Sequence, residues 1–121
     1  MKPNFVIIGA ASAALAVALG AFGAHGLRGR IGSAELALWE TATRYLVIGA
    51  FGTLLFGLFQ QKAERSSAPG WLILLGSALF AGSLYGLALG APRLLGAVTP
   101  FGGLGLIAGF LGFALVARRR S

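Results

Sequence analysis

The side chains able to do chemistry are few and scattered. There is one histidine, His25, three carboxylates at Glu35, Glu40 and Glu64, no aspartate and no cysteine. Disulfides, thiolate nucleophiles and thiolate metal sites are therefore excluded, and one His with three Glu does not build a protein-only zinc cage of the usual kind. A membrane hydrolase needs a Ser, His or acid constellation converging within the bilayer, whereas His25 stands alone and the three Glu fall outside or at the edge of the apolar stretches. These residues read as a non-enzyme with no catalytic group, no metal and no cofactor.

The remaining polar chemistry is a candidate polar or lipid-contact set: His25, Arg28, Glu40, Arg44, Tyr45, Ser83, Tyr85, Thr99 and Pro100. His25 ends the first apolar run, where an imidazole can cap the last helical carbonyls, or can titrate near neutral pH or hold an anionic headgroup. Tyr45, Ser83 and Tyr85 can pair across helices, and Thr99 can satisfy a carbonyl near Pro100. Pro100 with Gly102 and Gly103 predicts a kinked or re-entrant start to the last helix, which is the most site-like feature of the chain. A proton-coupled carrier would want a carboxylate in mid-span; none is there, so that reading rests on His25.

The elements that carry these residues are built for lipid. Only 11% of the 121 residues are charged, against about 25% in soluble domains, and 57% are apolar. Mean hydropathy is +0.85. Charge-free runs cover 3–27, 45–61, 66–92 and 94–117. A helix needs about 20 apolar residues to cross the hydrocarbon, and the second run reaches that length if its helix starts before Arg44, whose head then snorkels to water. Uninterrupted apolar runs lack the alternation of barrel strands. The expectation is an all-α integral membrane protein, one four-helix bundle over 1–121, with spans near 4–24, 38–60, 70–90 and 97–117. The first run is longer than the 7 to 15 residues of a cleaved signal peptide's apolar core, which favours its retention as a span.

Between the first two spans, 33–44 reads as a short amphipathic interfacial helix merging into span two. Ser33 is its N-cap, Glu40 and Arg44 form an i, i+4 pair, and Trp39 anchors it among headgroups. Six basic residues, Lys2, Lys62, Arg65 and Arg118 to Arg120, lie on one side of the spans; Arg28, Arg30, Arg44 and Arg93 lie on the other. That bias places both termini in the cytoplasm. The net charge of +7 fits helix ends held at anionic headgroups, and without a basic face interleaved with aromatics nucleic acid is not an expected partner.

Glycine makes up 20 residues, more than twice the usual share of about 7%. Small residues recur every fourth position in three spans: Ser12, Ala16, Gly20 and Ala24; Gly82, Gly86 and Gly90; Gly105 and Gly109. In lipid such faces let backbones approach, so Gly20, Gly82, Gly86, Gly105 and Gly109 are expected in packing seams, with some surface left for a homo-oligomer. The string ALGA at 18–21 and 88–91 marks either a two-helix repeat or the chance product of a biased composition.

Three ordered strings, GAFGAHGL at 20–27, LFAGSLYGLAL at 79–89 and VTPFGGLGLIAG at 98–109, resemble the signature of a small bacterial membrane family, the domain of unknown function numbered 423, related to transmembrane protein 256. The resemblance spans essentially the whole chain. It implies a four-span inner-membrane protein without an established activity. It also implies a Tyr-Gln pair followed by a His one turn into the second span, but this chain keeps Tyr45 and has Leu46 and Gly49 in those places. A role resting on that glutamine and histidine is thus not expected here. Three readings stay open: a Gly-packed bundle acting through membrane lipids or protein contacts, a homo-oligomeric channel or small-solute carrier with a polar path near His25, and an accessory factor of a larger membrane complex.

Overall fold

The computed structural model describes residues 3–62 and 66–120, with the side chains of Lys62 and Arg120 left aside. Lys2, Glu64 and Arg65, which enter the charge reading above, lie outside the described residues. The chain is all-α: α1 Phe5–Phe22, α2 Ser33–Lys62, α3 Ala68–Ala88 and α4 Thr99–Arg120. A π-helical turn, Gly23–Leu27, extends α1, and a 3₁₀ turn, Arg93–Ala97, precedes α4. Among the described residues, four helical stretches are long and apolar enough to cross a membrane.

Local sequence explains most of these ends. Asn4 caps α1 by accepting from the Ile7 amide at 3.2 Å, and Pro69 sits in the first turn of α3, where its missing N–H costs nothing. Gly29 and Gly90 adopt φ of +83° and +99°, which turn the chain at the two loops on the same membrane face. α4 begins at Thr99 and runs unbroken, with Pro100 in its first turn. The kinked or re-entrant start expected at Pro100 is therefore not formed; Pro100 starts a helix instead of interrupting one. The amphipathic stretch 33–44 is likewise continuous with span two, as the opening turns of α2.

The helices pack in chain order, α1 on α2, α2 on α3 and α3 on α4, with α2 just reaching α4. α2 and α3 are central and 39% buried over their spans, while α1 and α4 flank them at 17%. Glycine makes the contacts close. A methyl on Gly76 would lie 2.5 Å from the Leu106 nitrogen and 3.0 Å from the Gly102 carbonyl oxygen, and one on Gly9 would lie 2.6 Å from the Leu54 nitrogen. Gly57 meets the Phe5–Val6 backbone in the same way. An aromatic cluster closes the end opposite the two turns: Phe56 sits edge-on to Phe5 at 5.7 Å and to Phe113 at 5.2 Å, tying α1, α2 and α4 together.

The expected seam glycines divide. Gly105 and Gly109 lie in the α3–α4 seam, against Gly76 and Ile73, and Gly20 meets the Thr43 methyl across α1 and α2. Gly86 packs under Leu95 of the 3₁₀ turn, and Gly82 is exposed with nothing within 4 Å of a Cβ built there. The stripe through Gly82 fails as an interhelical seam of this chain because α3 buries its other face, through Gly70, Ile73, Ser77, Ala81 and Leu84. Reversible unfolding in mixed micelles should separate the two kinds of glycine. Gly76→Ala is expected to lose about 1–3 kcal/mol through overpacking of backbone on backbone, and Gly82→Ala to stay within about 0.5 kcal/mol of the parent.

Candidate functional site

The π-helical turn brings the end of α1 over the start of α2. At Gly23 the absence of a side chain lets the Cδ1–Nε1 edge of the Trp39 ring approach the backbone, 2.5 Å from where a Cβ would stand. The indole Nε1–H donates to the Leu19 carbonyl at 2.8 Å. Trp39 is only 4% exposed, packed among Leu27, Leu36, Ala88 and the Tyr85 ring at 4.3 Å. The expectation of a headgroup anchor at Trp39 is corrected: this ring bolts three helices together, because Gly23 leaves room for it and the Leu19 carbonyl, which also accepts from the Gly23 N–H, takes a second hydrogen bond from the indole.

Two hydroxyl pairs cross the helices. Thr43 donates to the Trp39 carbonyl at 3.0 Å, so in its 2.6 Å contact with Tyr85 the tyrosine is the donor. Ser83 donates to the Phe80 carbonyl at 2.9 Å and so accepts from Thr99 at 2.6 Å. Thr99 thus bonds a side chain of α3, where a carbonyl near Pro100 was expected. Tyr45 stacks edge-on to Phe80 at 4.9 Å. Ser83, Tyr85 and Thr99 are therefore structural ties between helices, and Tyr85 finds Thr43, a partner that the sequence reading missed although its i, i+4 relation to Trp39 put it on the same face of α2.

His25, Arg28, Glu40, Arg44 and Pro100 are all exposed on the side of the molecule that carries the two turns. His25 lies in the π turn and caps no carbonyl in this structure. Glu40 and Arg44 do not pair with each other, and neither has another ion pair among the described residues. Beside Glu40 a groove of about 140 Å³ opens between α1 and α2, walled by Gly20, Gly23, Ala24, Trp39 and Thr43. No cluster of three or more His, Cys, Asp or Glu able to hold a metal exists among the described residues. The nine candidate residues do not converge on one centre; they separate into buried ties and an exposed charged rim.

Fold and site together define a four-span, all-α membrane protein held by glycine seams, with exposed charges at both ends of the helices. A profile of the family described as "Protein of unknown function (DUF423)" matches residues 19–103, and the chain belongs to that family. It is 44% identical over 108 residues to a UPF0382 membrane protein of Staphylococcus epidermidis, covering 88% of each chain. It is 40% identical over 116 residues to the UPF0382 membrane protein YwdK of Bacillus subtilis, covering 93% of this chain and 94% of that one. No solved structure matches. None of these names is that of an enzyme.

The hydroxyl ties and the indole can be weighed by mutation. A Thr43→Val, Tyr85→Phe double-mutant cycle is expected to give a coupling of about 0.6 kcal/mol, typical of hydrogen bonds between membrane helices. Trp39→Ala should cost about 3–5 kcal/mol. Both are read from unfolding in mixed micelles.

Proposed function

We propose that this protein is a non-enzymatic membrane element that acts through its lipid- and partner-facing surface, with no internal chamber in its mechanism. The observation that carries this reading is where its polar groups go. Thr53, Ser77 and Ser83 are buried, and each donates to a carbonyl of its own helix. Gln60 donates to the Ser67 hydroxyl at 3.0 Å. Among the described residues no buried side-chain nitrogen or oxygen lacks a partner. A solute path needs polar atoms left facing it, and a row of helices packed in chain order encloses none. The apolar outer faces of α1 and α4, with Ile7, Leu15 and Val17 on one and Phe101, Leu104 and Leu111 on the other, are available to lipid, a second copy or another membrane protein.

The same reading places the protein in the bacterial plasma membrane with both termini cytoplasmic, supported by six basic residues on the terminal side against four on the turn side. The chain has no cysteine, so single replacements report topology directly. Ser33→Cys is expected to react with an impermeant thiol reagent in intact cells, and Ser66→Cys only after the membrane is opened; the reverse pattern inverts the orientation.

Flux decides between surface and chamber. Purified protein in liposomes is expected to pass small ions and solutes no faster than empty vesicles, with His25→Ala indistinguishable from the parent. Flux that His25→Ala abolishes would replace this reading with that of an oligomeric carrier.

A further inference from the structure

We propose that the groove between α1 and α2 seats the headgroup of a phospholipid carrying a primary ammonium beyond its phosphate, with Glu40 receiving the ammonium and Arg44 the phosphate. The inference rests on the surface-acting reading above and names the chemistry of one of its contacts.

The depth of the two charges comes first. α2 has 30 residues, about 45 Å of helix against about 30 Å of hydrocarbon. Shared evenly, the excess leaves roughly residues 38–57 in hydrocarbon. Glu40 then stands at the boundary and Arg44 one turn, about 6 Å, deeper. Both are exposed, on the outside of the bundle. An arginine at that depth needs an anion within reach, and a helical side chain leans toward the helix N-terminus, here the near membrane surface. Lipid phosphate lies at that level.

The pairing comes second. Residues at i and i+4 share a face and ordinarily satisfy each other when charged oppositely. Glu40 and Arg44 form no ion pair in this structure, so two full charges of opposite sign stand side by side with their bonding capacity free. Their order matches the ligand: the phosphate, esterified to glycerol, is the deeper charge, and the ammonium, on a short carbon link beyond it, is the shallower one.

Shape comes third. The groove is lined from α1 and its π turn by Gly20, Gly23 and Ala24, which have almost no side chain, and from α2 by Trp39, Glu40 and Thr43, with Arg44 one helical turn beyond Glu40. The volume of about 140 Å³ is the scale of a small headgroup. The Trp39 N–H and Thr43 hydroxyl are already committed to carbonyls, so Glu40 is the polar group left to choose the occupant. A carboxylate there selects a cation with N–H donors over a hydroxylated headgroup without one, and over a trimethylated ammonium that offers none.

Native mass spectrometry tests this on the full chain, released from micelles with equal amounts of phosphatidylethanolamine, phosphatidylcholine and phosphatidylglycerol. The parent is expected to retain phosphatidylethanolamine about fivefold over each of the other two, the scale of one charge-assisted hydrogen bond at a half-wet site. Glu40→Gln should bring that ratio to about one, and Arg44→Gln should lower retention of all three lipids while keeping their ratio. Ala24→Leu fills the groove from the opposite helix and should abolish the preference with both charges in place. Helicity and a single chromatographic peak establish folding, and the two groove variants, on different helices, do not depend on each other's survival. Equal retention by the parent, or a preference that Glu40→Gln leaves intact, overturns the proposal. If the preference is absent and no flux is found, the groove falls and the surface-acting reading stands; His25-dependent flux removes that reading whatever the lipid result.

Discussion

Backbone-to-backbone contact at glycine is the constraint on which the rest of this structure depends. In lipid, one helix gains little from hiding apolar side chains against another, because the hydrocarbon outside is as apolar as the seam. Dispersion between closely approaching backbones must supply the difference, and only residues without side chains permit the approach. Gly76 against Gly102 and Gly105, and Gly9 against Ala50 and Leu54, are where this happens. These contacts set the spacing of the helices, and the aromatic rings fill what remains near the two ends.

The two ends are closed differently. Near the termini, Phe5, Phe56 and Phe113 meet edge to face and need no polar partner. Near the turns, Trp39 and Tyr85 each bring one polar atom into the packing, and each atom is satisfied, by the Leu19 carbonyl and the Thr43 hydroxyl. An indole fits here because Gly23 has no side chain to meet the ring.

Among the described residues the buried side-chain polar atoms are all satisfied, so the groups open to new contacts lie on the outside. α1 and α4 turn most of their surface outward, and exposed charges stand at both ends of the helices, Arg28, Arg30, Glu40, Arg44 and Arg93 on the side of the turns and Arg119 on the side of the termini. The proposed mode of action, through contacts in the plane of the membrane or at its surface, rests on that arrangement.

The all-α class, the four spans and the family were legible in the sequence, because charge-free runs of span length and three ordered glycine-containing strings are one-dimensional signals. The polarity of the candidate site was legible as well; its division was not. Ser83 and Thr99 are sixteen residues apart and Thr43 and Tyr85 forty-two, so nothing local marks them as partners. Gly82 and Gly105 look alike as members of four-residue stripes, yet one faces outward and the other Gly76, because which face of a uniformly apolar helix is buried depends on its neighbours. Pro100 reads as a kink in a long apolar run and becomes a helix start once the 3₁₀ turn before it is placed. Composition alone determined that this chain belongs in a bilayer and what chemistry it lacks; tertiary packing decided which face each helix buries, since a chain apolar all round carries no amphipathic stripe to announce it.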